Sequence, residues 1–322
     1  MAHGQHSPLE PLIMLLMFEI TKVPADAPEI TETLGTKDKF WYDAKTFLFK
    51  QVRRRTGEDW AEKLCAEFAK QIGIPCAEYE LAEWESPEGI VRGVVTRNFC
   101  PPGSALILGN ELLGETDPGY AVGQVSKFRV PAHTIERVVT TLQARQPRLP
   151  FGWARAPGIM DAVDVFIGYL MLDTLVGNTD RHHENWGIVV LPDRGVHLAP
   201  TFDHASSLGC HLLDNKRAER LRTADRNYDV AAFAARARSA LYGHEVEAHP
   251  LPTIDAFLNA ARHKPRAARY WLGKLDTFTE AEIAIIMSNV PRGRISDTAV
   301  EFASRLILIN KDRLVEAEKD LR

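Results

Sequence analysis

The chain has 322 residues, 45% of them hydrophobic and 25% charged, with a formal net charge of −4. That is enough apolar material for a sizeable core, and the length fits two lobes better than one compact unit. No long basic or acidic tract gives a compositional reason to expect nucleic-acid or membrane binding, and four cysteines without a CxxC pair suit a reducing cytoplasm better than a disulfide framework or structural zinc.

Residues 1–28 are expected to be irregular around one short apolar run, Leu12 to Phe18. That run is too short to span a bilayer and has neither the basic leader nor the cleavage site of a signal peptide. Thr46 to Val52 is predicted to be a strand with Lys50 at its polar end, followed by a turn at Arg53 to Gly57. A helix is predicted from Glu58 to Ile72. Its acidic first turn suits the helix dipole, its buried stripe is Ala61, Leu64, Cys65, Phe68 and Ile72, and Gly73 ends it. Glu78–Ala82 and Ile90–Thr96 are predicted strands around a turn at Ser86–Gly89. After Pro101-Pro102-Gly103 the pattern becomes helical, over about 133–143, 159–176, 252–262, 266–274, 279–288 and 296–318. The polar stretch 210–245 carries no clear pattern. The domains expected are an irregular segment 1–28, a mostly-β unit 29–99 and a mostly-α unit 100–322.

The stretch Gly177 to Gly209 concentrates the chemistry. Gly177 ends the apolar helix; Trp186–Leu191 and Val196–Ala199 are β-rich, and Pro192-Asp193-Arg194-Gly195 between them is turn chemistry, so a hairpin is predicted. Asn185 and Asp203 lie nine residues either side of Arg194 and should meet at its open end, with Asp180 on the entering loop. A carboxylate and an amide oxygen suit Mg²⁺, which takes few protein ligands and completes its shell with water and phosphate oxygens. Asp180 is then placed to accept a proton from a hydroxyl. An Asp base, an Asn five residues later and a further Asp form the kinase pattern. Singly, such residues are more often turn or helix caps. His182-His183-Glu184 is a weaker suggestion of a transition-metal site, since neighbouring residues rarely converge on one ion. His182 is expected to orient the loop, and His183 to be exposed.

Asn178 to Gly187 (NTDRHHENWG) and Pro200 to Gly209 (PTFDHASSLG) resemble the HipA-like kinases, whose N-x-D-R-H-x-x-N-x-G loop precedes a D-x-[AG]-x-S-like metal segment. The resemblance implies an α+β, bilobal protein-kinase-like fold, distantly similar to phosphatidylinositol 3-/4-kinases, with a small mostly-β N-lobe carrying one helix and a larger mostly-α C-lobe. It implies ATP and Mg²⁺, with Asp180 as catalytic base and Asn185 and Asp203 as metal ligands. Lys50 would be the strand lysine on the ATP phosphates, held by Glu62, the position where the family carries its pairing glutamate. On a helical wheel Glu62 borders the apolar stripe and Glu67, the alternative, points further away. The adenine would hang from the backbone of Thr96 to Phe99, which places Arg97 and Phe99 beside the nucleotide. There is no G-x-G-x-x-G; Gly35, Thr36 and Lys37 are the candidate phosphate loop.

The function expected is a Mg-ATP-dependent phosphotransferase, foremost a Ser/Thr protein kinase acting on a protein hydroxyl. A small-molecule or lipid kinase of the same fold, or a nucleotide-binding pseudokinase scaffold, are the alternatives. No basic patch suits anionic lipid headgroups. Ser206 and Ser207 are candidates either for phosphorylation or for capping the next turn. Full-length HipA toxins carry a further N-terminal subdomain, whereas only about 30 residues precede the phosphate loop here. The expectation is a short, stand-alone cytoplasmic form, with a toxin role and a cognate antitoxin partner undecided.

Overall fold

The computed structural model describes residues 17–32, 38–117, 119–120 and 129–321. Gly35, Thr36 and Lys37, and most of the Leu12–Phe18 run, lie outside them. The first part of the chain builds one mixed sheet from β1 (Ile20–Val23), β2 (Ile30–Thr31), β3 (Lys39–Tyr42), β4 (Phe47–Gln51), β5 (Tyr79–Ser86) and β6 (Gly89–Arg97), in the order β1-β5-β6-β4-β3-β2. Only the β1–β5 pair is parallel. The stretch 1–28 is therefore not irregular throughout. Ile20–Val23 pairs with Leu81–Trp84, a long-range partner that local patterning does not announce.

Strand alternation decides which side β4 offers to which layer. Phe49 faces an aromatic cluster on one side, 5.1 Å from Phe40 and 6.1 Å from Trp84 between ring centroids. Lys50 therefore faces the other side, against helix α1 (Glu58–Ile72). α1 has the predicted bounds and ends on Gly73, which takes a left-handed φ of 86°. Its Leu64, Cys65 and Phe68 enter a core continuous with the helices that follow; Phe68 packs edge-on to Phe278 at 5.6 Å.

From residue 105 the chain forms a three-stranded sheet, β7 (Ala105–Leu108), β8 (Gly187–Val190) and β9 (Val196–Leu198), in the order β7-β8-β9. The same part of the chain carries the helices α2 (Gly109–Thr116), α3 (Ile135–Arg145), α4 (Ala162–Val176), α5 (Asp214–Arg222), α6 (Val230–Arg236), α7 (Thr253–Ala261), α8 (Pro265–Leu275), α9 (Glu280–Ser288) and α10 (Asp297–Ala317). All residues of α4 are buried, as expected of a helix apolar on every face, and it forms the centre of the helical layer. α5 and α6 occupy the stretch that had no clear pattern, because in α5 only Arg217 is buried and no apolar stripe exists to detect. The β8–β9 hairpin forms where predicted. Gly187, the last residue of the loop motif, has no room for a side chain: a Cβ there would sit 2.3 Å from the Ile107 carbonyl oxygen on β7. All four cysteines are free thiols. Among the described residues no helix is long and apolar enough to cross a membrane.

Candidate active site

Lys50 is only 9% exposed, under α1. Its Nζ lies 3.5 Å from Glu62 Oε1, 3.5 Å from the Tyr79 hydroxyl and 3.7 Å from Asp203 Oδ1. Burial works against its charge, but Asp203 and then Glu62 outweigh it and hold the ammonium protonated well above its ordinary range. Glu62 is itself 1% exposed. Glu67 instead takes Lys63 at 2.7 Å. Of the two glutamates weighed from the sequence, α1 thus presents Glu62 to Lys50.

Asp203 follows β9 and adopts a left-handed φ of 60°, a conformation that Asp tolerates better than most side chains. Its amide donates to the Tyr79 hydroxyl at 3.1 Å, so one phenol on β5 touches both Lys50 and the Asp203 backbone. Burial keeps that phenol protonated far above its ordinary range. Tyr79 was not singled out by sequence, where it is one aromatic in an ordinary strand.

The loop holding Asp180 and Asn185 is organised from inside by Arg181, which is fully buried. Arg181 makes a two-pronged pair with Asp173 of α4, Nε to Oδ2 and Nη2 to Oδ1, both 2.8 Å. Its Nη1 donates to the Asn185 carbonyl at 2.5 Å and to the Phe202 carbonyl at 3.5 Å. Its Nη2 also reaches Thr201 Oγ1 at 2.8 Å and His204 Nε2 at 3.3 Å. One guanidinium nitrogen thus spans Asn185, two residues before β8, and Phe202, the residue before Asp203, and this ties the open end of the hairpin together. Asn178 Nδ2 adds a bond to Asp173 Oδ1 at 2.8 Å. Asp173 left a signal in the sequence, a carboxylate in the last turn of an otherwise apolar helix, which must be paired if it is buried.

Asn185 is buried, and its Nδ2 donates to the Asp180 carbonyl at 2.6 Å, which leaves Oδ1 as the acceptor side of the amide. Asp180 keeps its side chain about a quarter exposed, with Oδ1 3.8 Å from His182 Nε2. His182 Nδ1 accepts from the Glu184 amide at 3.1 Å, so His182 braces the loop. His183, expected to be exposed, is buried. Its Nδ1 meets the Tyr120 hydroxyl at 2.6 Å and its ring packs beside His133. The HHE run alternates between packing partners rather than converging. Among the described residues no group of three or more His, Cys, Asp and Glu side chains is placed to hold a metal ion. His133 is locked neutral: Nε2 accepts from Trp186 Nε1 at 3.1 Å, Nδ1 faces the Ala240 carbonyl at 3.1 Å, and burial first, then His183, push its pKa down to about 3.

Arg97 ends β6 and is exposed, while Phe99 stacks on Phe202 at 5.6 Å, one residue before Asp203. The Asn98 amide is committed to the Thr46 carbonyl at 2.8 Å. Arg97, Asn98 and Phe99 line a cleft of about 350 Å³ with Cys76, Pro150 and Trp153. Ser207 is buried and the segment turns there, with the Cys210 amide donating to its carbonyl at 3.0 Å.

A buried lysine–glutamate pair over an aspartate, beside a braced Asp/Asn loop, on a mixed sheet followed by a helical layer, defines a kinase-like arrangement. The profile of the HipA-like C-terminal domain family matches residues 31–264, and the chain belongs to that family. The fold is similar to that of the proinflammatory kinase CtkA of Helicobacter pylori, with a TM-score of 0.63 and 18% identity over 93% of this chain and 98% of that one. It is also similar to HipA of Shewanella oneidensis, solved with HipB and operator DNA, with a TM-score of 0.55 and 14% identity over 92% of this chain and 68% of that one. No curated protein sequence matches the chain.

Proposed function

We propose that this protein is a Mg-ATP-dependent phosphotransferase that phosphorylates serine or threonine hydroxyls of proteins, in a bilobal arrangement with the nucleotide between the six-stranded sheet and the helical part. The observation that carries the reading is the Lys50–Glu62–Asp203 cluster, where one buried ammonium is shared by two carboxylates from different elements. Family membership and the CtkA-like fold support it.

The residues fit the groups the reaction needs. Asn185 and Asp203 offer one amide and one carboxylate oxygen, hard donors of the kind Mg²⁺ accepts alongside water and phosphate. Bound there, the ion would neutralise phosphate charge. Lys50, kept protonated by its two carboxylates, would hold phosphate oxygens, and Glu62 would stop it from collapsing onto Asp203. Arg97 and Phe99 would border the adenine, and Gly35, Thr36 and Lys37 would approach the phosphates. Asp180, partly exposed at its carboxylate, would take the proton of the acceptor hydroxyl as that oxygen bonds to the γ-phosphorus of ATP and the bond from this phosphorus to the bridging oxygen breaks, releasing ADP. Rate would come from positioning and charge rather than covalent chemistry.

Calorimetric titration of ATP into the purified protein, with and without Mg²⁺, tests this. Binding should require Mg²⁺ and weaken at least tenfold in Asp203→Asn, and intact mass should show phosphate-sized additions after incubation with a protein acceptor. No binding under any condition would sink the proposal.

α1 supplies a sharper contrast. Glu62→Gln should raise the KM for ATP and lower turnover, because Lys50 loses one of its two charged partners, while Glu67→Gln should leave both within about twofold, because Glu67 does not touch Lys50 and Lys63 keeps Glu80 as a charged partner. Steady-state kinetics of the two variants decide it, and the opposite ranking would mean that Glu62 does not serve Lys50.

A further inference from the structure

Beside the Asp180 loop lies a pocket of about 240 Å³ that the proposed chemistry does not use. Thr179, the residue before Asp180, lines it, and Ser206 meets Thr179 there through an amide-to-carbonyl bond of 3.3 Å. Its far wall comes from α5 and α6: Arg220, Phe233 and Arg236. None of Lys50, Glu62 and Asp203 lines it.

Its charge is one-sided. Two guanidinium groups and His211 line the pocket, and no carboxylate does, in a protein whose net charge is −4. Arg220 Cζ lies over the Tyr228 ring, 4.1 Å from its centroid, and 5.1 Å from the centroid of Phe233. Its Nη1 is spent on the Tyr228 carbonyl at 2.8 Å, yet its Nε is buried without a hydrogen-bond partner. The nearest acid on its own helix, Glu219, is occupied by Lys216 at 2.8 Å and the Tyr228 hydroxyl at 3.2 Å. His211 is turned to Glu58 at 3.2 Å. Among the described residues no carboxylate pairs with Arg220 or Arg236. Arg220 and Arg236 thus bring positive charge to the pocket wall with no carboxylate among the lining residues, and an anion entering it would meet that charge. Arginine forks match carboxylate and phosphate oxygens in shape as well as charge.

We propose that this pocket is the acceptor-recognition site and takes an anionic side chain, a carboxylate or a phosphate, lying close in sequence to the hydroxyl that Asp180 deprotonates. The proposal deepens the kinase reading and rests on it for the meaning of "acceptor". The existence of an anion site is a separate matter and is measured separately.

The test uses fluorescence anisotropy with three labelled peptides, each carrying one central serine. One is flanked by glutamates, one by phosphoserines and one by lysines, and all are titrated with the full chain without nucleotide. Both acidic peptides should bind at least about tenfold tighter than the lysine peptide, the scale of a charge-assisted contact. A preference for the phosphoserine peptide would assign the pocket to phosphate, and a preference for the glutamate peptide to carboxylate. Arg236→Glu should abolish the discrimination and Arg236→Lys should keep part of it. Arg236 is exposed at the end of α6, so neither change should disturb folding, and unaltered Mg-ATP affinity in both variants checks this. Equal affinity for the acidic and lysine peptides, or an Arg236→Glu protein that binds like the wild type, would overturn the proposal. Arg236-dependent binding of the acidic peptides by a protein that fails to bind Mg-ATP would keep the anion site and remove the kinase reading. Mg-ATP binding without acidic preference would do the reverse.

Discussion

Asp180→Ala should lower phosphoryl transfer by about 10²- to 10⁴-fold, the range a positioned general base contributes, with little effect on nucleotide affinity or stability. The separation is expected from the geometry. Asp180 contributes to the loop through its backbone: its carbonyl accepts from Asn185 Nδ2 at 2.6 Å and its amide donates to Asn178 Oδ1 at 3.1 Å, and both bonds survive truncation of the side chain. The carboxylate lies 3.8 Å from His182 Nε2 and stays partly exposed. Transfer to an acceptor protein, followed by intact mass and set beside calorimetric ATP affinity, reads the two effects apart. Unchanged turnover would remove Asp180 from the chemistry and favour a scaffold. Loss of turnover and of ATP binding together would mean that the substitution has disturbed the Asn185 loop as well.

The second large effect is structural. Arg181→Met should cost about 3–5 kcal/mol of stability, because it leaves the Asp173 carboxylate buried with Asn178 as its remaining polar side-chain partner. It also removes the donor joining the Asn185 and Phe202 carbonyls, so nucleotide affinity should fall even below the unfolding transition. Asp173→Leu combined with Arg181→Met should be far less damaging than the sum of the single changes, since the pair is then exchanged for apolar groups of similar volume. Urea unfolding of the two single variants and the double variant, followed by tryptophan fluorescence, provides the cycle. Additive losses would show that the two side chains stabilise the fold independently.

What could be read in the sequence was local. α1 was legible to its bounds because an acidic first turn, a helical stripe and a terminal glycine all lie within one segment, and the same wheel turned Glu62 rather than Glu67 toward the sheet. The β8–β9 hairpin was legible because turn chemistry separates two β-rich runs. α5 was not, because it buries only Arg217, and α6 was not, because its seven residues are too few to display a helical period. β1 was not, because its partner lies about sixty residues away. His183 was misjudged as exposed because a histidine pair says nothing about which ring a neighbouring Tyr120 will cover.

By itself the sequence determined the residue types of the Asp180, Asn185 and Asp203 constellation, the helix carrying Glu62 and the family to which the chain belongs. Motif spacing and amphipathic period are properties of a contiguous stretch of chain. Only the tertiary structure decided that Tyr79 would tie Lys50 to Asp203. It also decided that one buried arginine would close the loop, and that Arg220 and Arg236 would face a pocket beside Thr179. Those contacts join residues brought together by packing of the core, and a buried charge takes whichever partner the fold places within reach.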